Sequence, residues 1–200
     1  MRKRTARTAW LVAGGIALGL LAIGATSYVM RLDQERGTAS VPIGGRFELV
    51  DQDNRVVTER DFAGRLMLVY FGYTFCPDVC PMSLQTMSVA LEQLGDDAKE
   101  VAFLFVTLDP ERDTVAQMKA YVGLFEPGPV GLTGTAEQVA AAARAWRVYY
   151  RLHDDGKDED YLVDHSSFVY LMDREGRYLA HFGHAATPEQ LVEEIRDALG

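Results

Sequence analysis

The residues of this 200-residue sequence best suited to chemistry are its two cysteines, Cys76 and Cys80. A disulfide across so short a loop removes little entropy from the unfolded chain, so stabilisation of the fold is a poor explanation for the pair. If the chain is helical from Asp78 onward, the cysteines lie about one turn apart and both sulfurs can face the same side. The amino-terminal end of a helix favours the thiolate, which is the form that binds a metal ion or attacks a disulfide.

Metal binding by two thiolates calls for a further ligand. Thiolates suit Cu(I) and also hold zinc, but both metals normally take at least a third protein ligand. His165 is the candidate, because it precedes a strand predicted over residues 168–172, and the start of that strand faces the cysteines in a thioredoxin-like sheet. The alternative is a hydrogen-bonded structural role, which is commoner for a lone histidine at the start of a strand. We predict a metal site of Cys76, Cys80 and His165.

Thiol–disulfide exchange is the main alternative chemistry for the pair. The redox motif of thioredoxin-type enzymes has two residues between its cysteines, whereas three separate Cys76 from Cys80. Those enzymes also carry a cis-proline beside the active-site disulfide, but no proline occurs between Pro129 and Pro188. The pair could still oxidise, since one helical turn leaves the Cα atoms about 6 Å apart, within reach of a disulfide. We expect metal loading and thiol oxidation to compete.

The element that must position the cysteines is a buried strand predicted over residues 66–73, which ends just before Cys76. A helix predicted over residues 81–94 follows; its Met82 and Met87 are soft donors, but we expect both in the core. The other predicted elements are a hairpin over residues 47–58, a strand over 101–108, a helix from Asp113 or Thr114 to 125, a helix from Thr135 to 146, a hairpin over 168–182 and a helix over 188–199. This order predicts an α/β, thioredoxin-like fold with an added N-terminal β-hairpin and a site at the carboxyl ends of the parallel strands.

An uncharged apolar segment over residues 9–30 is long enough to cross a bilayer as a helix. Basic residues precede it, which places the N-terminus in the cytoplasm and the rest of the chain across the membrane. We therefore predict a cytoplasmic tip and transmembrane anchor over residues 1–30, a polar linker over 31–43 and a domain over 44–200. The expected location is a bacterial inner membrane, with the domain in the periplasm. The alternative is a cleaved signal peptide, which would also export the domain.

The charge of the chain argues against one class of partner. Of its 20 basic side chains, four lie within residues 1–30, which contain no acid, so 16 remain against 29 acidic side chains. A surface with this balance repels phosphate backbones, and the sequence contains no basic stripe that would reverse it. Nucleic acid is therefore not expected as a partner.

Four motifs resemble those of the Sco (SenC/PrrC-type) copper chaperone family. They are residues 70–81 (YFGYTFCPDVCP), 109–114 (DPERDT), 131–135 (GLTGT) and 163–166 (VDHS). The resemblance implies a thioredoxin-like domain, tethered to the membrane by one N-terminal helix, that binds Cu(I) or Cu(II) through Cys76, Cys80 and His165. It further implies delivery of copper, or electrons, to the dicopper A centre of cytochrome c oxidase subunit II.

Two functions compete with that of a metal-delivery protein without turnover chemistry. An exported thiol–disulfide oxidoreductase, acting on the cysteines of a copper-site apoprotein, would keep its activity without His165. A peroxidase-like enzyme on the same fold would need only one attacking and one resolving thiol. The role of the histidine therefore separates these functions.

Overall fold

The domain is built on one mixed sheet with a small second sheet beside it. The structure, a computed structural model, describes residues 43–153 and 161–200. Its strands are β1 (Glu48–Asp51), β2 (Val56–Thr58), β3 (Leu66–Gly72), β4 (Val101–Thr107), β5 (Val130–Thr133), β6 (Tyr150–Leu152), β7 (Val163–His165), β8 (Val169–Met172) and β9 (Tyr178–Phe182). Its α-helices are α1 (Val79–Leu94), α2 (Val115–Val122), α3 (Ala136–Ala145) and α4 (Pro188–Leu199). The seven-stranded sheet has the order β2-β1-β5-β4-β3-β8-β9, and β6 pairs with β7 in the two-stranded sheet.

The two continuous apolar runs of the sequence form the centre of the large sheet. Every residue of β3 and of β4 is buried, and the two strands pair in parallel from Leu66 opposite Val101 to Gly72 opposite Thr107. Strands covered on both faces need apolar side chains at every position, which explains why these runs do not alternate. β5 extends the parallel part beside β4, and β8 closes the other side antiparallel to β3. The carboxyl ends of β3, β4 and β5 consequently lie at one edge.

The helix that follows the cysteine pair begins slightly earlier than its sequence pattern predicts. α1 starts at Val79 rather than at residue 81, so Cys80 lies in its first turn. It ends at Gly95, whose positive φ of 62° suits a residue without a Cβ. Thr114, and not Asp113, caps α2 by accepting a hydrogen bond from the backbone N–H of Gln117.

Several elements differ from the predicted set. α2 ends at Val122, three residues before the predicted end, and β5 was not predicted as a strand. The hairpin of β6 and β7 was also not predicted, and His165 therefore ends a strand of its own instead of leading into β8. The predicted N-terminal hairpin is confirmed as β1 and β2, with Asp51 Oδ1 accepting hydrogen bonds from two backbone N–H groups of the turn.

The predicted transmembrane anchor and most of the predicted linker lie outside the described residues. Within residues 43–153 and 161–200, none of the helices combines the length and apolar character that a membrane crossing requires.

Candidate metal centre

The two cysteines occupy different surroundings although they are close in sequence. Cys76 is partly buried in the segment of residues 73–78, here called the cysteine loop, which joins β3 to α1. Its backbone N–H donates to the Tyr73 carbonyl at 3.3 Å, which gives the loop a tight turn. Cys80 is fully buried in the first turn of α1. Both thiols are free. The predicted placement of the pair at the start of a helix is therefore confirmed.

His165 reaches the cysteines from the second sheet. It ends β7 and pairs with Tyr150 at the start of β6; we call the β6–β7 hairpin the histidine arm. The His165 Nε2 atom lies 3.5 Å from the Cys80 Sγ atom. One donor atom each from Cys76, Cys80 and His165 lies within 4.8 Å of both others. The structure thus brings together the three residues predicted as a metal site, across 85 positions of sequence.

The orientation of the His165 ring is determined by its neighbours. Its Nδ1 atom lies 3.2 Å from the Ser166 carbonyl oxygen, an acceptor that Nδ1–H can satisfy, which leaves Nε2 as the nitrogen that faces the sulfurs. The rings of Tyr70 and Tyr73 meet the imidazole edge to face, with centroids 6.2 and 6.0 Å away. These aromatic contacts restrict rotation of the ring, so Nε2 is held toward the thiols.

One proton is shared unequally between the two thiols. The hydrogen bond from the Cys80 thiol is the largest cause that lowers the pKa of Cys76 to about 3; the nearby His165 ring and hydrogen bonds from the backbone N–H groups of Asp78 and Cys80 add to it, and together they outweigh burial. The pKa of Cys80 is raised because its thiol donates to Cys76 and because the group is buried. Cys76 is therefore the thiolate of the metal-free reduced protein, and Cys80 holds the proton until a metal ion or an oxidant displaces it.

The pocket around the Cys80 sulfur is formed by the sheet itself. A Cβ atom at Gly72 would lie 2.7 Å from the Cys80 Sγ atom, closer than non-bonded atoms approach, and only 3.0 Å from the Tyr70 ring. Tyr70, on the same face of β3, directs its hydroxyl toward the sulfur at 3.8 Å. Strand alternation places residues 70 and 72 on one face, so the carboxyl end of β3 leaves the space that the Cys80 thiol occupies. The identity of Gly72 is thus required by a close approach.

Asp113 supports the cysteine loop from behind. This buried carboxylate accepts hydrogen bonds from the Thr74 hydroxyl and the Thr107 hydroxyl, both at 2.5 Å, and from the Thr74 backbone N–H at 3.0 Å. Its backbone carbonyl accepts from the Thr133 hydroxyl at 2.8 Å. Burial raises the pKa of Asp113 above the ordinary value for an aspartate. From its local sequence Asp113 is predicted as a helix cap within the 109–114 motif; the 39 residues that separate it from Thr74 hid this contact.

A cluster of charged and aromatic groups spans the cysteine loop and the histidine arm. The Arg112 guanidinium lies 3.6 Å from the centroid of the Tyr161 ring and 4.8 Å from that of Phe75. Its Nε donates to the Asp109 carboxylate at 2.5 Å, and the Tyr161 hydroxyl donates to the other Asp109 oxygen at 2.7 Å. All of these groups except Phe75 and Tyr161 come from the 109–114 motif of the sequence.

The other histidines and methionines predicted as weaker candidate ligands, where the structure describes them, do not join the centre. Met87 is buried as expected, whereas Met82 is 53% exposed, because residue 82 lies on the outer face of the first turns of α1. His181 contacts Tyr178 and Phe168 on the β8–β9 side. Within the parts of the chain that the structure describes, Cys76, Cys80 and His165 form the single cluster of three such residues with metal-binding spacing.

The donor set fits a soft metal ion. Three ligands at about 2.0–2.3 Å from one ion stand roughly 3.5–4 Å from each other, so separations of up to 4.8 Å require only small side-chain movements. Two sulfurs and one imidazole nitrogen suit copper or zinc better than magnesium or calcium, which prefer oxygen. The same two sulfurs are also close enough to form a disulfide after rotation of the side chains.

Comparison with known proteins agrees with this site. The SCO1/SenC family model matches residues 35–200. A SCO2-like protein of Rickettsia conorii is 41% identical over 159 residues, which make up 79% of this chain and 78% of that protein. The structure of Bradyrhizobium japonicum ScoI with copper bound is 42% identical with a TM-score of 0.72, covering 78% of this chain and 99% of that chain. The structure of yeast Sco1 with copper bound is 36% identical with a TM-score of 0.71, covering 79% and 88%.

These likenesses confirm the mixed α/β, thioredoxin-like fold and the family resemblance of the four sequence motifs. The family model spans the cysteine loop, the Asp109–Thr114 segment and the histidine arm together, so the match includes every part of the centre. The chain belongs to the SCO1/SenC family.

Proposed function

We propose that this protein is a copper chaperone that holds one copper ion, as Cu(I) or Cu(II), between Cys76, Cys80 and His165. The observation that carries the proposal is the convergence of the three donor atoms within 4.8 Å, from segments 85 residues apart in sequence. Two sulfur donors favour Cu(I), and the imidazole adds a donor that also suits Cu(II). Relatives whose structures contain copper, such as ScoI of Bradyrhizobium japonicum, support the choice of metal.

Copper delivery is the role that this centre supports best. Cys76 is partly buried and not enclosed, so a partner's ligands can reach the metal from the side of the cysteine loop. The receiving protein in our proposal is cytochrome c oxidase subunit II, at its dicopper A centre, which is the role that membership of the Sco family implies. Copper is the cargo in this scheme, and the chain carries out no turnover chemistry of its own.

The proposed setting is a bacterial inner membrane. In this proposal residues 1–30 form the cytoplasmic tip and a single transmembrane anchor, residues 31–43 a linker, and residues 44–200 the copper-binding domain in the periplasm. The uncharged apolar run over residues 9–30, with basic residues before it, supports this topology.

A thiol–disulfide oxidoreductase is the second candidate, and it is favoured by the accessibility of Cys76 together with the hydrogen bonds that lower the pKa of this thiol. In this reaction the Cys76 thiolate attacks a partner disulfide and forms a mixed disulfide, with release of one partner thiolate. Cys80 then loses its proton and attacks Cys76, which releases the second partner thiolate and leaves a Cys76–Cys80 disulfide. Two electrons pass to the partner, and an external thiol reductant must restore the pair. His165 has no bond-forming part in this sequence.

The test is a competition titration of the reduced full-length chain, in detergent, with Cu(I) and a Cu(I) chelator of known affinity. We expect one equivalent to bind. Cys76→Ser and Cys80→Ser should each lower the affinity by about a thousandfold or more, and His165→Ala by about a hundredfold, because each removes one ligand. His181→Ala is the matched control, since it removes an imidazole outside the centre, and its affinity should equal that of the wild type.

The same variants decide between the two functions when disulfide reduction is measured with insulin. If His165→Ala bound Cu(I) as tightly as the wild type, and the wild type reduced insulin rapidly, the chaperone assignment would be wrong. Weaker copper binding by all three variants, with slow insulin reduction by the wild type, supports it.

A further inference from the structure

The two halves of the centre are supplied by separate parts of the fold. The cysteine loop continues from β3 of the large sheet, whereas the histidine arm is a two-stranded sheet that, among the described residues, has no strand pairing with the large one. A metal centre of this kind requires something to hold the halves at a fixed distance before the metal arrives, because freedom in either half reduces the affinity.

Asp109, Arg112, Phe75 and Tyr161 form a cluster that joins these halves, and we call it the Arg112 clasp. Phe75 is adjacent to Cys76 in the cysteine loop, and Tyr161 lies two residues before β7, which ends at His165. The Arg112 guanidinium contacts both rings, at 4.8 Å from the Phe75 centroid and 3.6 Å from the Tyr161 centroid. The Arg112 guanidinium therefore contacts one residue close in sequence to Cys76 and one close in sequence to His165.

The base of the clasp is rigid. The Asp109 side chain is fully buried and that of Arg112 is only 13% exposed, so their ion pair is largely shielded from water. The Asp109 carboxylate accepts from Arg112 Nε on one oxygen and from the Tyr161 hydroxyl on the other. Asp109 also follows β4 closely, and its backbone N–H donates to the Thr107 hydroxyl at 2.9 Å. The clasp is thus anchored to the edge of the large sheet.

We infer that Arg112 is a positioning residue for the metal centre: through Tyr161 and Phe75 it holds the histidine arm against the cysteine loop, so that His165 Nε2 meets the sulfurs. This inference rests on the proposed function, because it assigns Arg112 a role in presenting a metal ligand. Lysine cannot replace arginine here, since stacking on two rings and directing Nε to a carboxylate depend on a planar guanidinium.

Arg112→Lys tests the clasp in the metal-free protein by amide hydrogen exchange. The amides of the arm, such as His153 and Ser166, should exchange about tenfold faster, while those of β3 and β4 keep the wild-type rates. Arg177→Lys is the matched control, because Arg177 also pairs through Nε with an aspartate, Asp173, but at an exposed site in the β8–β9 hairpin. Unchanged arm amides in Arg112→Lys, or equal acceleration in arm and core, would overturn the inference.

Copper affinity supplies the second measurement. Arg112→Lys should weaken Cu(I) binding about tenfold in the wild-type background but leave the affinity of His165→Ala unchanged, because a residue that acts by presenting His165 has no effect once the ring is gone. Equal weakening in both backgrounds would contradict the inference. If Arg112→Lys fails to fold, Tyr161→Leu removes the arm's ring from the clasp. We then expect the same faster exchange of the arm amides and the same weakening of Cu(I) binding only when His165 is present.

The proposed function and the clasp can fail separately. If wild type and His165→Ala bind Cu(I) equally, the proposed metal centre fails. If those two proteins differ but Arg112→Lys behaves as Arg177→Lys does, the centre stands and the clasp fails.

Discussion

Cys80 lies beneath β3, a strand in which all seven residues are buried, whereas His165 ends a three-residue strand of a two-stranded sheet. On the histidine arm Val163 is buried, Asp164 is exposed and His165 is partly buried. The cysteine loop continues directly from a central strand of the large sheet, whereas the arm is joined to the core by side-chain packing, with Val163 buried in the core and Tyr150 and Leu152 packed against it. Short two-stranded hairpins have little stability of their own.

This difference indicates that the sulfurs and the imidazole contribute differently to metal binding. Two sulfurs fixed by the core form a preorganised pair that needs little rearrangement to take up an ion. The imidazole comes from a short two-stranded hairpin, so we expect it to be withdrawn more easily than the two sulfurs when a partner competes for the metal. In the chaperone role that we propose, which requires both binding and release of copper, such an unequal arrangement is an advantage.

The largest effect expected from this comparison is in hydrogen exchange of the metal-free protein. Amides in the β3–β4 ladder open only with the whole domain, but the arm can open alone. We therefore expect the His153 and Ser166 amides, which donate to Leu162 and Tyr149 within the arm, to exchange about a thousandfold faster than those of β3. Copper should slow the arm amides selectively. Equal protection of arm and core would contradict the comparison.

The next effect concerns the cysteine pair and pH. The pKa of Cys76 is lowered to about 3, so its thiolate persists in the folded protein as the pH falls from 8 to 5.5. Alkylation of Cys76 by iodoacetamide should change less than about twofold over this range, whereas an ordinary thiol of pKa 8.5 slows by about two-hundredfold. Mass spectrometry of the reduced, metal-free protein should find Cys80 unmodified at first. A steep fall in the rate would show that Cys76 is protonated.

Cys80→Ala provides the control for that measurement. It removes the thiol that donates to Cys76, which is the largest cause of the low pKa, so the Cys76 rate should then fall as the pH is lowered toward 5.5.

A smaller effect, on stability, tests the rigidity of the cysteine side. Gly72→Ala would place a Cβ 2.7 Å from the Cys80 sulfur, and the Cys80 side chain is fully buried, so it has little room to move away. We expect a loss of about 2 kcal/mol in the free energy of unfolding, measured with urea, together with weakened Cu(I) binding. Gly183→Ala is the control, because a Cβ there meets no atom within 4 Å. Wild-type stability in Gly72→Ala would mean that the pocket is more adaptable than we describe.

The parts of this fold with strong local signals were predictable from the sequence. The two apolar runs identified β3 and β4, and the glycine at position 95 identified the end of α1. β5 gave no such signal, because it has four residues, begins just after Pro129 and contains a glycine. The arm was missed for a similar reason: strands of three residues are too short for alternation to appear.

The centre itself was predictable only in its ligands. Residue type and spacing identified Cys76 and Cys80, and topology with family resemblance added His165. The roles of Asp113 and Arg112 could not be predicted, because both depend on contacts with residues far away in sequence, such as Thr74 and Tyr161. Local patterns assign a charged residue near a helix start to capping, and nothing in the sequence distinguishes a buried carboxylate from an exposed one.

The hydrogen bonds of Asp113 have a mechanical consequence. Thr74 follows β3, Thr107 is the last residue of β4 and Thr133 is the last residue of β5, so one residue ties the ends of all three parallel strands. Because of these hydrogen bonds, a displacement of any one strand end also displaces the other two and the loop that carries Cys76. The thiols thereby share the stiffness of a whole sheet edge, which a loop of six residues would lack by itself.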